Sequence, residues 1–335
     1  MATGHGDDAY RYGERVTMNF SSNIFTHADL ALLHGFLASR LGDIATYPEP
    51  EPRSLERKIA EREGIDPDCV AVTSGATEAI HLIALTFRRL TPVISTPTFS
   101  EYESASRIHA LHEPQFTSSP QPTGTKDALY WLCNPNNPTG KVTGRDVIDS
   151  MARQDGSVVV VDQAYEDYTS EPLTGDREAV NRGNVLLVHS LTKRYCIPGL
   201  RLGYVVGAQP LVCRIRSVRQ PWSVNALALA AGGFLVGKRP FADTKALCAE
   251  ARWLRDRLES TGGVTVHPTQ TNFMLCRLHS GTAHLLKEWL VDRHGILVRD
   301  ASNFRGLDAQ CFRVAAQTRR ENEALVAAIK EFLAR

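Results

Sequence analysis

Six short apolar runs between residues 69 and 207 constrain the fold of this 335-residue chain more than any other feature. Amphipathic or polar stretches separate the runs, which read CVAVTS, PVISTP, ALYWLCN, SVVVVD, NVLLVHS and RLGYVVG. Short, nearly continuous apolar strands that alternate with helical segments are typical of a parallel sheet covered by helices on both faces. The pattern therefore predicts an α/β protein with a largely parallel central sheet.

The last third of the chain has a different pattern. From about residue 223, VNALALAAGGFLVG and TKALCAEARWLRDRLEST predict helices, VTVHPTQTNFMLCRL predicts strands, and RENEALVAAIKEFLAR predicts an amphipathic final helix. No low-complexity tract or flexible linker separates the two parts. We expect a large α/β domain over residues 42–230 and a smaller α+β domain formed by residues 1–41 and 231–335.

Composition narrows the class of partner. The 38 Lys+Arg residues balance 37 Asp+Glu residues, so there is no general electrostatic reason to bind nucleic acid or an anionic membrane. The seven cysteines contain no C-x-x-C pair, which indicates neither a disulfide framework nor a zinc site. The chain shows no signal-peptide pattern and no run of 18 apolar residues. We expect a cytoplasmic protein without a metal, acting on a small molecule.

Phosphate-binding chemistry is suggested after the first predicted strand. In TSGATEAI, residues 73–80, a glycine and small residues open a helix, and the N–H groups at such a helix start can bind an anion. The same residues are equally consistent with an ordinary helix start capped by Ser74 or Thr77. The segment NPNNPTG, residues 134–140, strongly predicts a turn. Asp162, which follows VVVV, either binds a ligand or caps the next segment.

A lysine and an arginine follow the run NVLLVHS. Lys193 is either a solvated loop residue or a functional amine whose pKa is lowered by its surroundings. A desolvated lysine can react with an aldehyde, and Arg201, eight residues later, can bind a phosphate through two parallel hydrogen bonds. A phosphate-binding turn, an amine, a carboxylate and an arginine together predict a site for pyridoxal phosphate.

The order of these motifs is more specific than any one of them. SGAT, NPNNPTG, DQAY, SLTK and GLR occur as in the fold-type I pyridoxal-phosphate enzymes of the class I/II aminotransferase family, which the chain resembles from about residue 18 to its C-terminus. The resemblance implies a mostly parallel, seven-stranded type of sheet flanked by helices, pyridoxal 5'-phosphate as cofactor, and a homodimer. Gln163 departs from the glutamate that is usual in the third motif.

The resemblance also implies roles for individual residues. Lys193 is expected to carry the cofactor, Asp162 to pair with its ring nitrogen, and Tyr165 to donate a hydrogen bond to its phenolic oxygen. The other cofactor contacts expected from the resemblance are Gly75, Ala76, Thr77, Phe99, Asn137, Ser190, Arg201 and, on the phosphate in the neighbouring subunit, Tyr47.

Several segments distinguish branches within the family. MNFSSNI, IPGLRLGY, QPWSVNALALAA, GILVRDASNFRGLD and CFRVAAQTRRENEAL resemble the enzymes that decarboxylate L-threonine O-3-phosphate in cobalamin biosynthesis. Histidinol-phosphate aminotransferases share the two arginines of these segments but lack NFRGLD. The substrate contacts that the resemblance implies are His5, Gly6, Asn23, Asn137, Arg299 and Arg313.

Two alternatives stay open. One is histidinol-phosphate aminotransferase or a related aminotransferase, because the reaction depends on which bond at Cα stands perpendicular to the cofactor plane, and residue types do not fix that geometry. The other is an NAD(P)-dependent oxidoreductase, since strands alternating with helices also suit a dinucleotide-binding fold. The absence of G-x-G-x-x-G after a predicted strand counts against the second.

Overall fold

A computed structural model describes residues 7–335 of the chain. Within that range the β-strands are β1 Met18–Asn19, β2 Val70–Thr73, β3 Thr91–Ser95, β4 Gln115–Thr117, β5 Ala128–Cys133, β6 Val158–Asp162, β7 Val185–Ser190, β8 Gly203–Val206, β9 Val264–Val266, β10 Phe273–Leu278, β11 Ile296–Leu297, β12 Arg299–Asp300 and β13 Cys311–Ala315. The α-helices are α1 Ala31–Ser39, α2 Arg53–Glu63, α3 Gly75–Thr86, α4 Glu101–His109, α5 Arg145–Ala152, α6 Asp176–Arg182, α7 Leu191–Arg194, α8 Gln209–Val218, α9 Ala226–Leu235, α10 Thr244–Glu259, α11 Ala283–His294 and α12 Arg319–Leu333. None of the helices described is both long enough and apolar enough to cross a lipid bilayer.

The large domain is built on a seven-stranded sheet with the order β2-β8-β7-β6-β5-β3-β4. Strands β7, β6, β5, β3 and β4 run parallel to one another, whereas β8 is antiparallel to both β2 and β7. All five residues of β6 are buried, and four of them are valines, whose branched side chains pack well on a sheet covered from both sides. The prediction of a mostly parallel seven-stranded sheet is confirmed.

Helices cover both faces of this sheet and create two hydrophobic cores. Val159 and Val161 of β6 belong to the core on one face, and Val160 belongs to the core on the other, as the two-residue period of a strand requires. The burial of alternate residues on opposite faces fixes the register of the sheet. The side chains that follow each strand are therefore held at defined positions along the sheet edge.

A third core lies around a four-stranded antiparallel sheet with the order β12-β13-β10-β9, packed against α10, α11 and α12. Near the N-terminus, β1 pairs in parallel with β11, and Phe20 is buried in this third core. Helix α1 packs elsewhere, because Leu33 belongs to the same core cluster as Leu55 of the large domain. The domain boundaries at residues 41 and 230 stay a prediction.

Candidate active site

One pocket lies where the carboxyl edge of the large sheet faces the small domain. Strands β2, β5, β6 and β7 all end at this edge, and the cavity there has a volume of about 460 Å³. Open α/β sheets bind their ligands at this edge. The lining includes Asp7, Ser22, Ala76, Thr77, Phe99, Asn137, Asp162, Tyr165, Ser190, Lys193, Arg201, Arg299, Phe304 and Arg313.

Lys193 lies in α7, which begins directly after β7. Its ammonium group donates a hydrogen bond to the carbonyl oxygen of Ser22, 3.0 Å away, and lies 5.7 Å from the centre of the Tyr165 ring. Burial, together with the nearby charge of Arg313, lowers the pKa of Lys193 to about 8. Roughly a tenth of the Lys193 side chains are therefore uncharged at pH 7, and the uncharged amine is the form that attacks an aldehyde.

Asp162 occupies the last position of β6 and is almost completely buried. Its Oδ2 accepts a hydrogen bond of 2.7 Å from the Tyr102 hydroxyl, and its Oδ1 accepts one of 2.9 Å from the backbone N–H of Ala164. Burial raises the pKa of this carboxyl, and the Tyr102 hydrogen bond opposes that shift. The carboxylate is thus oriented toward the pocket and suited to bind a cationic N–H group.

Two hydrogen-bonding side chains lie beside this carboxylate. Burial raises the pKa of Tyr165 to about 12, against the opposing charge of Arg313, so Tyr165 remains a hydroxyl donor throughout the physiological range. The amide oxygen of Asn137 accepts a hydrogen bond from Nη1 of Arg313. An amide that accepts through its oxygen still offers its NH₂ group as a donor.

The start of α3 and Arg201 together place hydrogen-bond donors where they could hold an anion. Gly75 has φ +82°, and a Cβ atom built on it would lie 2.8 Å from Nη2 of Arg201, so only glycine lets the guanidinium approach this backbone. The first N–H groups of a helix have no partner within the helix, and here they adjoin the guanidinium and the hydroxyl of Ser190. Arg201 itself adopts φ +57°, a strained backbone conformation found more often at functional sites. The donor set fits a phosphate group.

Two further arginines enter the pocket from the small domain. Arg313 donates hydrogen bonds to Asn137 and to the carbonyl oxygen of Ser21, and Arg299 donates one of 2.9 Å to Oδ1 of Asn303. Burial lowers the pKa of Arg313 to about 10, and the like charge of Arg299 contributes. Buried like charges are costly unless a ligand supplies the opposite charge. The pair therefore suits a substrate that carries anionic groups.

The remaining predicted residues lie in different places. Asn23 is fully buried close to the Tyr165 hydroxyl, and its neighbours Ser22 and Ile24 line the pocket. Tyr47 is 85% exposed, outside the pocket of its own chain, with its ring 5.4 Å from that of Trp222. His5 and Gly6 lie outside the described residues.

The sequence did not identify several residues that line the pocket or contact its lining. Tyr102 contacts Asp162 from 60 positions away in the chain, a tertiary contact that no local pattern encodes. Asp7, whose carboxylate accepts a hydrogen bond of 2.9 Å from Asn19, and Phe304, which packs 5.4 Å from the Arg299 guanidinium, also went unrecognised. The one available signal was the position of Phe304 inside the distinctive segment NFRGLD.

Known proteins resemble this chain over nearly its whole length. A model of the family described as aminotransferase class I and II matches residues 15–329. The threonine-phosphate decarboxylase of Salmonella typhimurium is 31% identical, with 94% of this chain and 91% of that protein covered. The histidinol-phosphate aminotransferase of Moorella thermoacetica is 30% identical, with 87% and 79% covered.

Among solved structures, that of L-threonine-O-3-phosphate decarboxylase from Porphyromonas gingivalis matches with a TM-score of 0.90 and 34% sequence identity. The match covers 95% of this chain and 100% of that chain. Both the large sheet and the small domain that closes the pocket are therefore shared with that protein.

Proposed function

Because the chain belongs to the class I and II aminotransferase family, we propose that it decarboxylates L-threonine O-3-phosphate to (R)-1-amino-2-propanol O-2-phosphate, a step of cobalamin biosynthesis. The family match confirms the resemblance drawn from the five motifs and pyridoxal 5'-phosphate as the cofactor. The observation that carries the proposed reaction is the likeness to the P. gingivalis decarboxylase across both domains. The NFRGLD segment supports the same branch.

The described residues fit the cofactor. Arg201, Ser190 and the N-terminus of α3 would hold its phosphate, and Asp162 would hold a proton on its ring nitrogen. Phe99 would cover one face of the ring, while Asn137 and Tyr165 would donate hydrogen bonds to the phenolic oxygen. When bound, pyridoxal phosphate accepts the electron pair that the breaking bond between Cα and the carboxylate releases.

The substrate would be held by the two arginines of the small domain. Arg299 and Arg313 can bind a carboxylate and a phosphate through paired hydrogen bonds, and the two anions would relieve the repulsion between them. An enzyme that holds the carboxylate bond perpendicular to the cofactor plane releases carbon dioxide from it. Cα must then gain a proton, and the Lys193 amine, with its pKa near 8, can hold that proton at Nζ.

The same proposal includes a homodimer with Tyr47 reaching the neighbouring cofactor phosphate. Large apolar side chains are exposed around Tyr47, including Trp222 at 51%, Ile44 at 69% and Leu41 at 54%. Exposed apolar residues at this density support a contact with a second copy. The seven cysteines, which are all free and of which five are buried, support a reducing compartment such as the cytoplasm.

A second candidate is histidinol-phosphate aminotransferase. The M. thermoacetica enzyme is nearly as similar in sequence as the S. typhimurium decarboxylase, and an arginine pair would serve its phosphorylated substrate as well. This candidate differs from the first in its substrate and in the bond that is broken at Cα.

Parallel assays on the cofactor-loaded protein separate the two candidates. With L-threonine O-3-phosphate we expect release of carbon dioxide and no 2-oxo acid. Glutamate-dependent conversion of imidazole acetol phosphate, without release of carbon dioxide from threonine phosphate, would instead establish the aminotransferase. Lys193→Ala serves as the control because it removes the amine to which the cofactor is attached, and it should abolish the visible absorption of the bound cofactor.

A further inference from the structure

Tyr102 is a fully buried residue of α4 whose hydroxyl contacts the pocket carboxylate. It donates a hydrogen bond of 2.7 Å to Oδ2 of Asp162, at the distance expected for a bond from a hydroxyl to a carboxylate. Both oxygens of Asp162 are thereby fixed, since its Oδ1 is bonded to the backbone of Ala164. The carboxylate has little freedom to rotate.

The ring of Tyr102 contacts the second group proposed to meet the cofactor ring. It makes an edge-to-face contact with Phe99, with ring centres 5.8 Å apart and an interplanar angle of 85°. It also stacks on Trp131 of β5, with ring centres 5.4 Å apart and an angle of 13°. One side chain thus touches both Phe99 and Asp162, the residues proposed to cover the cofactor ring and to pair with its nitrogen.

The hydrogen bond has a defined electrostatic effect. A donor to a carboxylate stabilises the charged form, and this effect is larger in a buried site than in water. Burial favours the neutral form of Asp162, so without Tyr102 the proton shared with a ring nitrogen would move toward the carboxyl. A ring nitrogen that loses its proton withdraws electrons less strongly.

We propose that Tyr102 is a positioning residue, which keeps Asp162 ionised and aimed at the cofactor's ring nitrogen while supporting Phe99 against the ring face. The inference rests on the proposed function, because it takes Asp162 and Phe99 as contacts of pyridoxal phosphate. It assigns a role to a residue that contacts the cofactor only through other side chains.

Tyr102→Phe tests the hydroxyl alone, since the stacking on Trp131 and the edge contact with Phe99 remain. Hydrogen bonds to charged groups are strong enough that kcat should fall about tenfold, with KM nearly unchanged. The pH midpoint of the visible absorption change should rise by about one unit, because a less positive cofactor ring raises the pKa of the Lys193 nitrogen attached to it. The apoenzyme should also bind pyridoxal phosphate more weakly.

Tyr130→Phe is the matched control. Tyr130 is equally buried, lies next to Trp131 on the other face of the sheet, and bonds through its hydroxyl to Thr123 at 3.2 Å. It should leave the absorption midpoint and kcat unchanged. A shift of the same size in both variants would show a general loss of packing and would overturn the inference.

A double-variant cycle tests whether Tyr102 acts through Asp162. In an Asp162→Asn background there is no carboxylate to keep ionised, so adding Tyr102→Phe should change neither the absorption midpoint nor kcat further. An additional loss as large as in the wild-type background would contradict the proposed route through Asp162. Wild-type protein that takes up no pyridoxal phosphate would instead overturn the proposed function itself, and the inference with it.

Discussion

At the scale of single residues, burial and neighbouring positive charges lower the pKa values of the cations in the pocket. The cations are Lys193, Arg299 and Arg313. Burial lowers the pKa of all three; the charge of Arg313 also lowers that of Lys193, and the charge of Arg299 that of Arg313. The lysine is the group whose lowered pKa, about 8, falls in a range where its protonation changes near neutral pH. Its reactivity therefore depends on residues of the other domain.

We expect Arg313→Met to slow the uptake of pyridoxal phosphate by the apoenzyme at pH 7. The Arg313 charge lowers the pKa of Lys193, so its loss should raise that pKa and leave less neutral amine below the new value. The pH midpoint of the association rate should accordingly move above 8. Arg277→Met, on an exposed arginine of neighbouring β10, is the control, and an equal midpoint in both variants would contradict the coupling.

The sequence could place part of this pocket and not the rest, for a physical reason. Asp162 and Lys193 could be found because Asp162 ends one apolar strand and Lys193 lies three residues after another, and parallel strands end at one edge. Tyr102 and Ser22 could not be found in this way, because Tyr102 bonds Asp162 and Ser22 accepts the Lys193 hydrogen bond through tertiary contacts that no local pattern encodes. Residues of this kind become visible only when the packing is known.

At the scale of elements, one ion pair joins α4 of the large domain to the segment between β12 and β13. Arg305 bonds Glu103 through two hydrogen bonds of 2.6 and 2.9 Å and stacks on Phe116, 4.1 Å from its ring centre. The adjacent Phe304 lines the pocket, and Asn303 bonds Arg299. The pair therefore anchors the segment that contacts Arg299, an arginine proposed to bind the substrate.

Breaking this ion pair should weaken substrate binding more than catalysis. Exposed ion pairs contribute up to about 1 kcal/mol, so Arg305→Gln should raise KM for threonine phosphate by up to about fivefold with kcat nearly constant. Glu103→Gln should do the same, and the double variant should be no worse than either single variant. Arg107→Gln removes the other partner of Glu103, within α4 itself, and should leave KM unchanged.

Element prediction succeeded for the long apolar strands and failed for the shortest elements. The runs that became β5, β6 and β7 are wholly buried, so their composition alone identifies them. Strands β1, β11 and β12 have two residues each, and their pairing comes from the packing of the small domain. Such pairs carry no period that a sequence pattern could reveal.

At the scale of the whole molecule, the proposed contact of Tyr47 with a neighbouring cofactor requires two copies of the chain. Tyr47 lies outside the pocket of its own chain and is surrounded by exposed apolar side chains, while Lys193 lies inside it. If Tyr47 acts on the neighbouring cofactor, then every site combines residues of both subunits.

Mixing two inactive variants tests this arrangement. Tyr47→Ala and Lys193→Ala subunits, unfolded and refolded together, should form hybrid dimers in which one of the two sites is intact. Random pairing should then restore about a quarter of wild-type activity. Lys193→Ala refolded with Asp162→Asn is the control, because those two residues line the same pocket and should restore nothing. No recovery in the first mixture would contradict a role for Tyr47 across the dimer.

The most direct test of the proposed function is to identify the bond that breaks at Cα. When the cofactor-loaded protein acts on L-threonine O-3-phosphate in deuterium oxide, we expect one molecule of carbon dioxide for each molecule of 1-amino-2-propanol O-2-phosphate, with one deuterium on the carbon that lost the carboxylate. Substrate that exchanges its Cα hydrogen for deuterium and keeps its carboxylate would contradict the proposal, because the bond to hydrogen would then be the one the pocket activates.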